Sequence, residues 1–252
     1  MKTKTFFLPI LLAFLFTGCA ELTQLSQDYL ESDAPLTKEE IIAGLKEALV
    51  TGTYNSADIL GATDGYYKDE LVKILLPPEA NIIVENAGKI PGGQKLIDDV
   101  LLHINRAAED AVKEAKPIFA NSISSMTIND GLEILTGEDN AATEYLHRTT
   151  YDDLFKLYRP KIKASVEKDL VAGVSTEESW DTLVGKWNKV AKSVVGQMAG
   201  LQPVNTELED YLTRKALDGL FLKIANEEKL IREDPAARVT GLLKRVFGSL
   251  DT

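Results

Sequence analysis

YLTRKALDGLFLKIANEEKLIREDPAARVTGLLKRVFG, residues 211–248, decides the fold class. Its apolar residues recur at the helical period and never alternate as a strand would. The pattern predicts one long helix over residues 206–232. Asp234 then caps, and Pro235 starts, a final helix that Gly248 closes. Two helices joined by a short break form a hairpin.

The same period runs outward through residues 36–252. Thr37 followed by Glu40 is a capping box opening IIAGLKEALV, where Ile41, Leu45, Ala48 and Leu49 share a face. That helix is predicted to continue through residues 57–60 and stop before Gly61. Residues 71–76 read as a short extended segment or as helix. Pro77-Pro78 blocks continuation, and Pro78 suits the first turn of the next helix. Gly92-Gly93 is a break, followed by a helix over 94–115 that Lys116-Pro117 ends or kinks. Thr127 with Asp130 caps a helix over 128–135 that Gly137 ends. Residues 139–149 form another short helix, and 151–170 one kinked at Arg159-Pro160. Ser175 or Thr176 with Glu178 opens WDTLVGKWNKVAKSVV.

About ten helices result. Many are shorter than the ~12–15 residues that persist alone in water, so they are held by mutual burial of apolar faces. The expectation is all-α: a compact globule of packed helical hairpins with little or no sheet.

The N-terminus has a different composition. Lys2 and Lys4 precede an apolar run over residues 6–16, about half the ~20 residues of a bilayer-spanning helix. That is the h-region of an export signal. The run closes on Phe16-Thr17-Gly18-Cys19, which resembles a bacterial lipobox, with Phe16 departing from its usual aliphatic residue. The expectation is a signal peptide over 1–18, a lipidated Cys19 with a polar tether over 19–35, and one helical domain over 36–252. Cys19 is the only cysteine, and acylation would account for a thiol without a disulfide partner. Ala20, rather than Asp, follows it, which favours the periplasmic face of an outer membrane. Loss of Lys2 and Lys4 takes the net charge from −11 to −13. So acidic a chain has no evident electrostatic footprint for nucleic acid or anionic lipid, and the membrane link expected is covalent rather than electrostatic.

Four phrases carry a resemblance: LVKILLP, INRAAEDAVKEAKPIF, MTINDGLEILTGEDNAATEYLHRTT, and the opening stretch. Together, over about residues 41–248, they resemble a bacterial family catalogued as domain of unknown function 4197. The resemblance implies an exported, often lipidated, helical protein. It brings no catalytic residues.

Chemistry-bearing groups are sparse. Asp99 lies four residues before His103, and Glu144 three before His147. A di-iron bundle needs two Glu-x-x-His pairs and two further carboxylates; the second pair is missing, so no metal or other cofactor is expected. There is no Gly-x-Ser-x-Gly elbow. Two glycines before a helix in GKIPGGQK lack both the spacing of a phosphate loop and a preceding strand, and read as a turn. Trp180, Leu183, Val184, Trp187, Val190, Ala191 and Val194 fall on one helical face, read as core or as a partner-binding face. Basic and acidic residues on apolar helices form the candidate polar cluster: Asn105, Arg106, Glu109, Arg148, Arg214, Lys215, Asp218, Arg232 and Arg238. Convergent, they would make an ion-pair network or anion pocket. Apart, they are caps and solvated faces.

The leading functional reading is a non-enzymatic envelope lipoprotein binding a partner protein or an amphipathic small molecule. The alternative is a hydrolase or lyase of envelope material using carboxylates and arginines in a cleft. A structural spacer is a third reading.

Overall fold

The computed structural model describes residues 35–129 and 131–251. The predicted signal peptide, Cys19, nearly all of the tether and the capping residue Asp130 lie outside the described residues. Among those described there are ten α-helices and no strands. The one β-contact is an isolated bridge between Val171 and Val174. No described helix is long and apolar enough to cross a membrane.

The helices are α1 Lys38–Leu60, α2 Asn81–Glu85, α3 Gly93–Ala111, α4 Ala115–Ser125, α5 Gly131–Leu135, α6 Ala141–Val166, α7 Thr176–Ala191, α8 Val194–Met198, α9 Leu208–Glu233 and α10 Gly241–Gly248. The centre is α9, packed between α1 and α6. Helices α4, α5 and α10 close over α1, and α3 packs on α6 and α7. One continuous core runs from Ile41 to Phe247. The described residues thus carry a substantial core of their own.

Local signals explain the starts. Thr37 Oγ1 accepts from Glu40 N at 3.1 Å, and Thr37 N donates to Glu40 Oε2 at 2.8 Å. Ser175 Oγ accepts from Glu178 N at 3.1 Å. Close approach demands glycine twice. A Cβ on Gly44 would lie 2.7 Å from Val246 Cγ2, where α1 crosses α10. One on Gly219 would lie 2.9 Å from Tyr66 Cε1, where residues 61–77 cross α9.

Five boundaries differ from the sequence expectation, some moved by tertiary contacts and others by local caps. Residues 139–170 were expected as two helices, but α6 is one helix of 26 residues with Pro160 inside it. Proline removes a single donor, while Tyr158 and Ile162 on either side are fully buried. Thr149 and Thr150 donate to the carbonyls of Tyr145 and Leu146 (2.7 and 2.6 Å), so the expected break becomes ordinary helix. The final helix begins at Gly241 rather than Pro235. Pro235–Ala237 is a 3₁₀ turn, Arg238 is buried as a clamp, and Thr240 caps instead, accepting from Leu243 N at 3.1 Å. Helix α7 stops at Ala191 and Ser193 caps α8, so Val194 leaves the tryptophan face and is 75% exposed. The segment expected over 128–135 is helical only from Gly131, with Ile128 buried from the loop. Further, α3 ends at Ala111, so Pro117 falls in the first turn of α4, where its missing N–H costs nothing. The ambiguous residues 71–76 form no strand and no helix.

Two fully buried tyrosines give the fold an alkaline limit. Tyr66 Oη donates to Ala216 O at 2.8 Å, whereas Tyr158 Oη has no partner among the described residues. Burial pushes both phenols well above the ordinary 10.0. A raised folded pKa leaves this contribution whole below the unfolded pKa and removes it as pH rises beyond it. Stability by urea titration is expected to hold up to about pH 10 and then fall. Tyr158→Phe should cost less than ~0.5 kcal/mol at neutral pH and flatten the alkaline loss. An alkaline profile unchanged by that substitution would refute this cause.

Candidate functional site

The nine candidate polar residues divide among separate structural tasks. Asn105, Arg106 and Glu109 lie on one face of α3 and hold residues 61–77 in place. Asn105 Oδ1 accepts from Ile74 N (2.9 Å), and Asn105 Nδ2 donates to Ile74 O and Leu101 O (both 2.8 Å). The side-chain amide thus does for Ile74 what a neighbouring strand would do. Glu109 Oε1 accepts from Tyr66 N and Tyr67 N, both at 3.1 Å. Arg106 bridges Glu109 Oε2 at 2.5 Å and Asp64 Oδ1 at 2.6 Å. Lys68, and then Arg106, hold the Asp64 carboxyl below its ordinary value.

Arg232 and Arg238 cap helix C-termini. Arg232 donates to Leu135 O at 2.7 Å and Ile134 O at 3.0 Å, closing α5. Arg238 donates to Ile231 O at 2.8 Å and Arg232 O at 2.7 Å, closing α9, and pairs with Asp251. Cations at helix C-termini meet the negative end of the dipole.

Glu228, which the sequence reading did not single out, completes this arrangement. Its Oε1 accepts from Arg232 Nη2 (2.7 Å) and Ala142 N (3.0 Å). Its Oε2 accepts from Thr143 N (2.7 Å) and Thr143 Oγ1 (2.6 Å). A carboxylate on α9 therefore caps the N-terminus of α6, while its arginine partner caps α5. The signal was present in the sequence: Glu228 falls in line with Leu217, Phe221, Ile224 and Ile231, a charge inside an apolar stripe.

Arg148, Arg214, Lys215 and Asp218 stay at the surface. Arg148 lies over the Tyr145 ring (5.4 Å) and Arg214 over Phe155 (4.7 Å). Lys215 pairs with Asp218 at 3.4 Å, both about half exposed. Trp180 and Trp187 are buried, and Trp187 Nε1 donates to Gln202 O at 2.9 Å. His103 is buried with Nδ1 2.6 Å from Asp99 O, which makes Nδ1 the donor; His147 packs against Tyr151 and Phe221. Among the described residues no three His, Cys, Asp or Glu side chains are grouped as metal ligands would be.

A concavity among the described residues involves none of these side chains. It is an open groove of about 740 Å³ between α4 and α6. Pro117, Ile118, Met126 and Leu157 supply its apolar lining; Asn121, Ser122, Thr150 and the Asp153–Lys156 ion pair supply its polar lining. Such a volume, largely apolar with a few polar groups, suits a small amphipathic ligand. A smaller cleft of about 360 Å³ gathers Glu167, Glu177, Asp181, Glu207 and Glu209 around Lys163. Lys163 lies 2.6 Å from Glu167, which raises the lysine's pKa.

No carboxyl group with a resolved shift is raised. The Thr37 N–H and Arg245 lower Glu40, Lys223 lowers Asp69 and Arg238 lowers Asp251. At Asp110 burial opposes ionisation but is outweighed by Lys168 and Ser165.

A family model described as Protein of unknown function (DUF4197) matches residues 35–248. No curated protein and no solved structure matches the chain.

Proposed function

We propose, for a chain that belongs to the family described as Protein of unknown function (DUF4197), a binding role: a lipid-anchored envelope protein whose helical body holds an amphipathic small molecule, or an amphipathic segment of a partner, in the groove between α4 and α6. The observation that carries this reading is the groove itself, lined by apolar side chains together with serine and threonine hydroxyls. The anchor rests on the lipobox-like Phe16-Thr17-Gly18-Cys19.

The hydrolase alternative would use the cleft around Lys163, where carboxylates are concentrated. The lining of that cleft includes no arginine, and the most buried arginines are bonded to backbone carbonyls. These observations favour binding over catalysis.

The experiment is native mass spectrometry of residues 20–252, expressed without the signal and incubated with envelope extract. An added mass is expected, lost on Ser122→Trp, which fills the groove. A bare body in both forms, with no partner recovered by envelope cross-linking, would overturn the proposal.

A further inference from the structure

Helix α8 forms a knob at the end of α7. Three large aliphatic residues stand on it almost bare: Val194 is 75% exposed, Val195 77% and Met198 84%. The knob is built, not frayed. Ser193 Oγ accepts from Gly196 N at 3.0 Å, and Leu201 N returns to Gly196 O at 3.0 Å. A Cβ on Gly196 would lie 2.1 Å from Val190 O, so only glycine lets α8 fold back this tightly on α7. The geometry thus presents these aliphatics outward while the backbone beneath them is fully bonded.

The charge around the knob is the reverse of the molecule's. Lys186, Lys189 and Lys192 follow one another over the last turns of α7, all exposed, within about 9 Å along the axis. Lys89 joins Lys189 and Val195 at a shallow apolar recess beside the knob. None of these four lysines makes an ion pair with a described residue, although the chain is −11 overall and most described lysines are paired. The acidic residues of α7, Glu177, Glu178 and Asp181, sit at its other end. The whole-chain charge conceals this polarity.

We infer that α8 and the lysines behind it are a docking element for the surface of an anionic phospholipid bilayer. Val194, Val195 and Met198 would enter the headgroup–acyl boundary, while Lys89, Lys186, Lys189 and Lys192 meet lipid phosphates. Charge complementarity selects this occupant. Three exposed aliphatics with lysines behind them offer much less than the ~800 Å² per partner of a stable protein interface. A bilayer needs only shallow insertion and positive charge. This inference is independent of the groove and of acylation at Cys19, because it concerns the body alone.

The test is co-sedimentation of residues 20–252, which contain the core spanning Ile41 to Phe247, with vesicles. One set is phosphatidylcholine and the other phosphatidylcholine mixed with phosphatidylglycerol. Binding is expected only to the anionic vesicles and should weaken as salt rises. Each lysine near the surface contributes about fivefold to partitioning, so the triple Lys186→Gln, Lys189→Gln, Lys192→Gln variant should lose about a hundredfold. Val195→Asp with Met198→Asp should abolish binding, with unchanged melting temperature in both variants. Equal binding to the two vesicle types, no binding at all, or binding that survives both variants would overturn the inference. So would a dimer in sedimentation velocity that Met198→Asp dissolves.

Discussion

Glu228→Ala is expected to destabilise the body by about 3–5 kcal/mol, among the largest effects of any single substitution. The change removes the carboxylate that receives two guanidinium contacts and two backbone N–H groups. It leaves Arg232 charged in a site where that side chain is only 5% exposed, and it uncaps α6. Out of a typical total of about 5–15 kcal/mol, such a loss is a large fraction. Arg232→Ala should cost a similar amount for the mirror reason, stranding the carboxylate and opening the end of α5. The double variant should cost less than the two singles added together, because neither charge is then left alone. Urea unfolding checks this. A loss under about 1 kcal/mol for Glu228→Ala, or strict additivity, would show that the pair does not hold the three helices together.

The second large effect concerns the proposed anchor. Cys19→Ser should abolish incorporation of labelled fatty acid and move the protein from the membrane to the soluble fraction. One acyl chain holds a protein at a bilayer only marginally, whereas two or more make release negligible. The loss is therefore expected to be nearly complete, not graded. The body should remain folded, because among the described residues one core spans Ile41 to Phe247. If α8 also docks on anionic lipid, a salt-sensitive remnant of membrane association will persist. Continued labelling after the substitution would sink the lipobox reading.

The parts of the fold that the sequence predicted are those that short-range chemistry decides. Thr37 and Glu40 bond each other across three residues, and Ser175 and Glu178 do the same through one hydroxyl, so both helix starts were readable. Two of the boundaries that moved are set by groups distant in sequence. Pro160 breaks nothing because Tyr158 and Ile162 are fully buried on either side. Arg238 interrupts the expected final helix because its guanidinium is needed at the end of α9. No local pattern distinguishes an arginine that will be buried from one that will be solvated.

The same limit applied to the candidate site. Arg106 and Glu109, three residues apart, were visible as a pair, but their targets, Asp64 and the Tyr66 and Tyr67 amides, lie some forty residues away. Glu228 stood in plain view inside an apolar stripe and signalled burial rather than function. The groove between α4 and α6 left no motif, because its lining is ordinary serine, threonine and aliphatic residues brought together by packing.

The central claim is that the body holds its amphipathic ligand or partner segment in that groove. Photo-cross-linking tests it most directly, with p-benzoylphenylalanine placed at Ser122 or Thr150 in the groove and at exposed Lys244 on α10 as the control. The account predicts an adduct in envelopes from the two groove positions and none from Lys244. Adducts from Lys244 alone, or equal yields from all three positions, would contradict it.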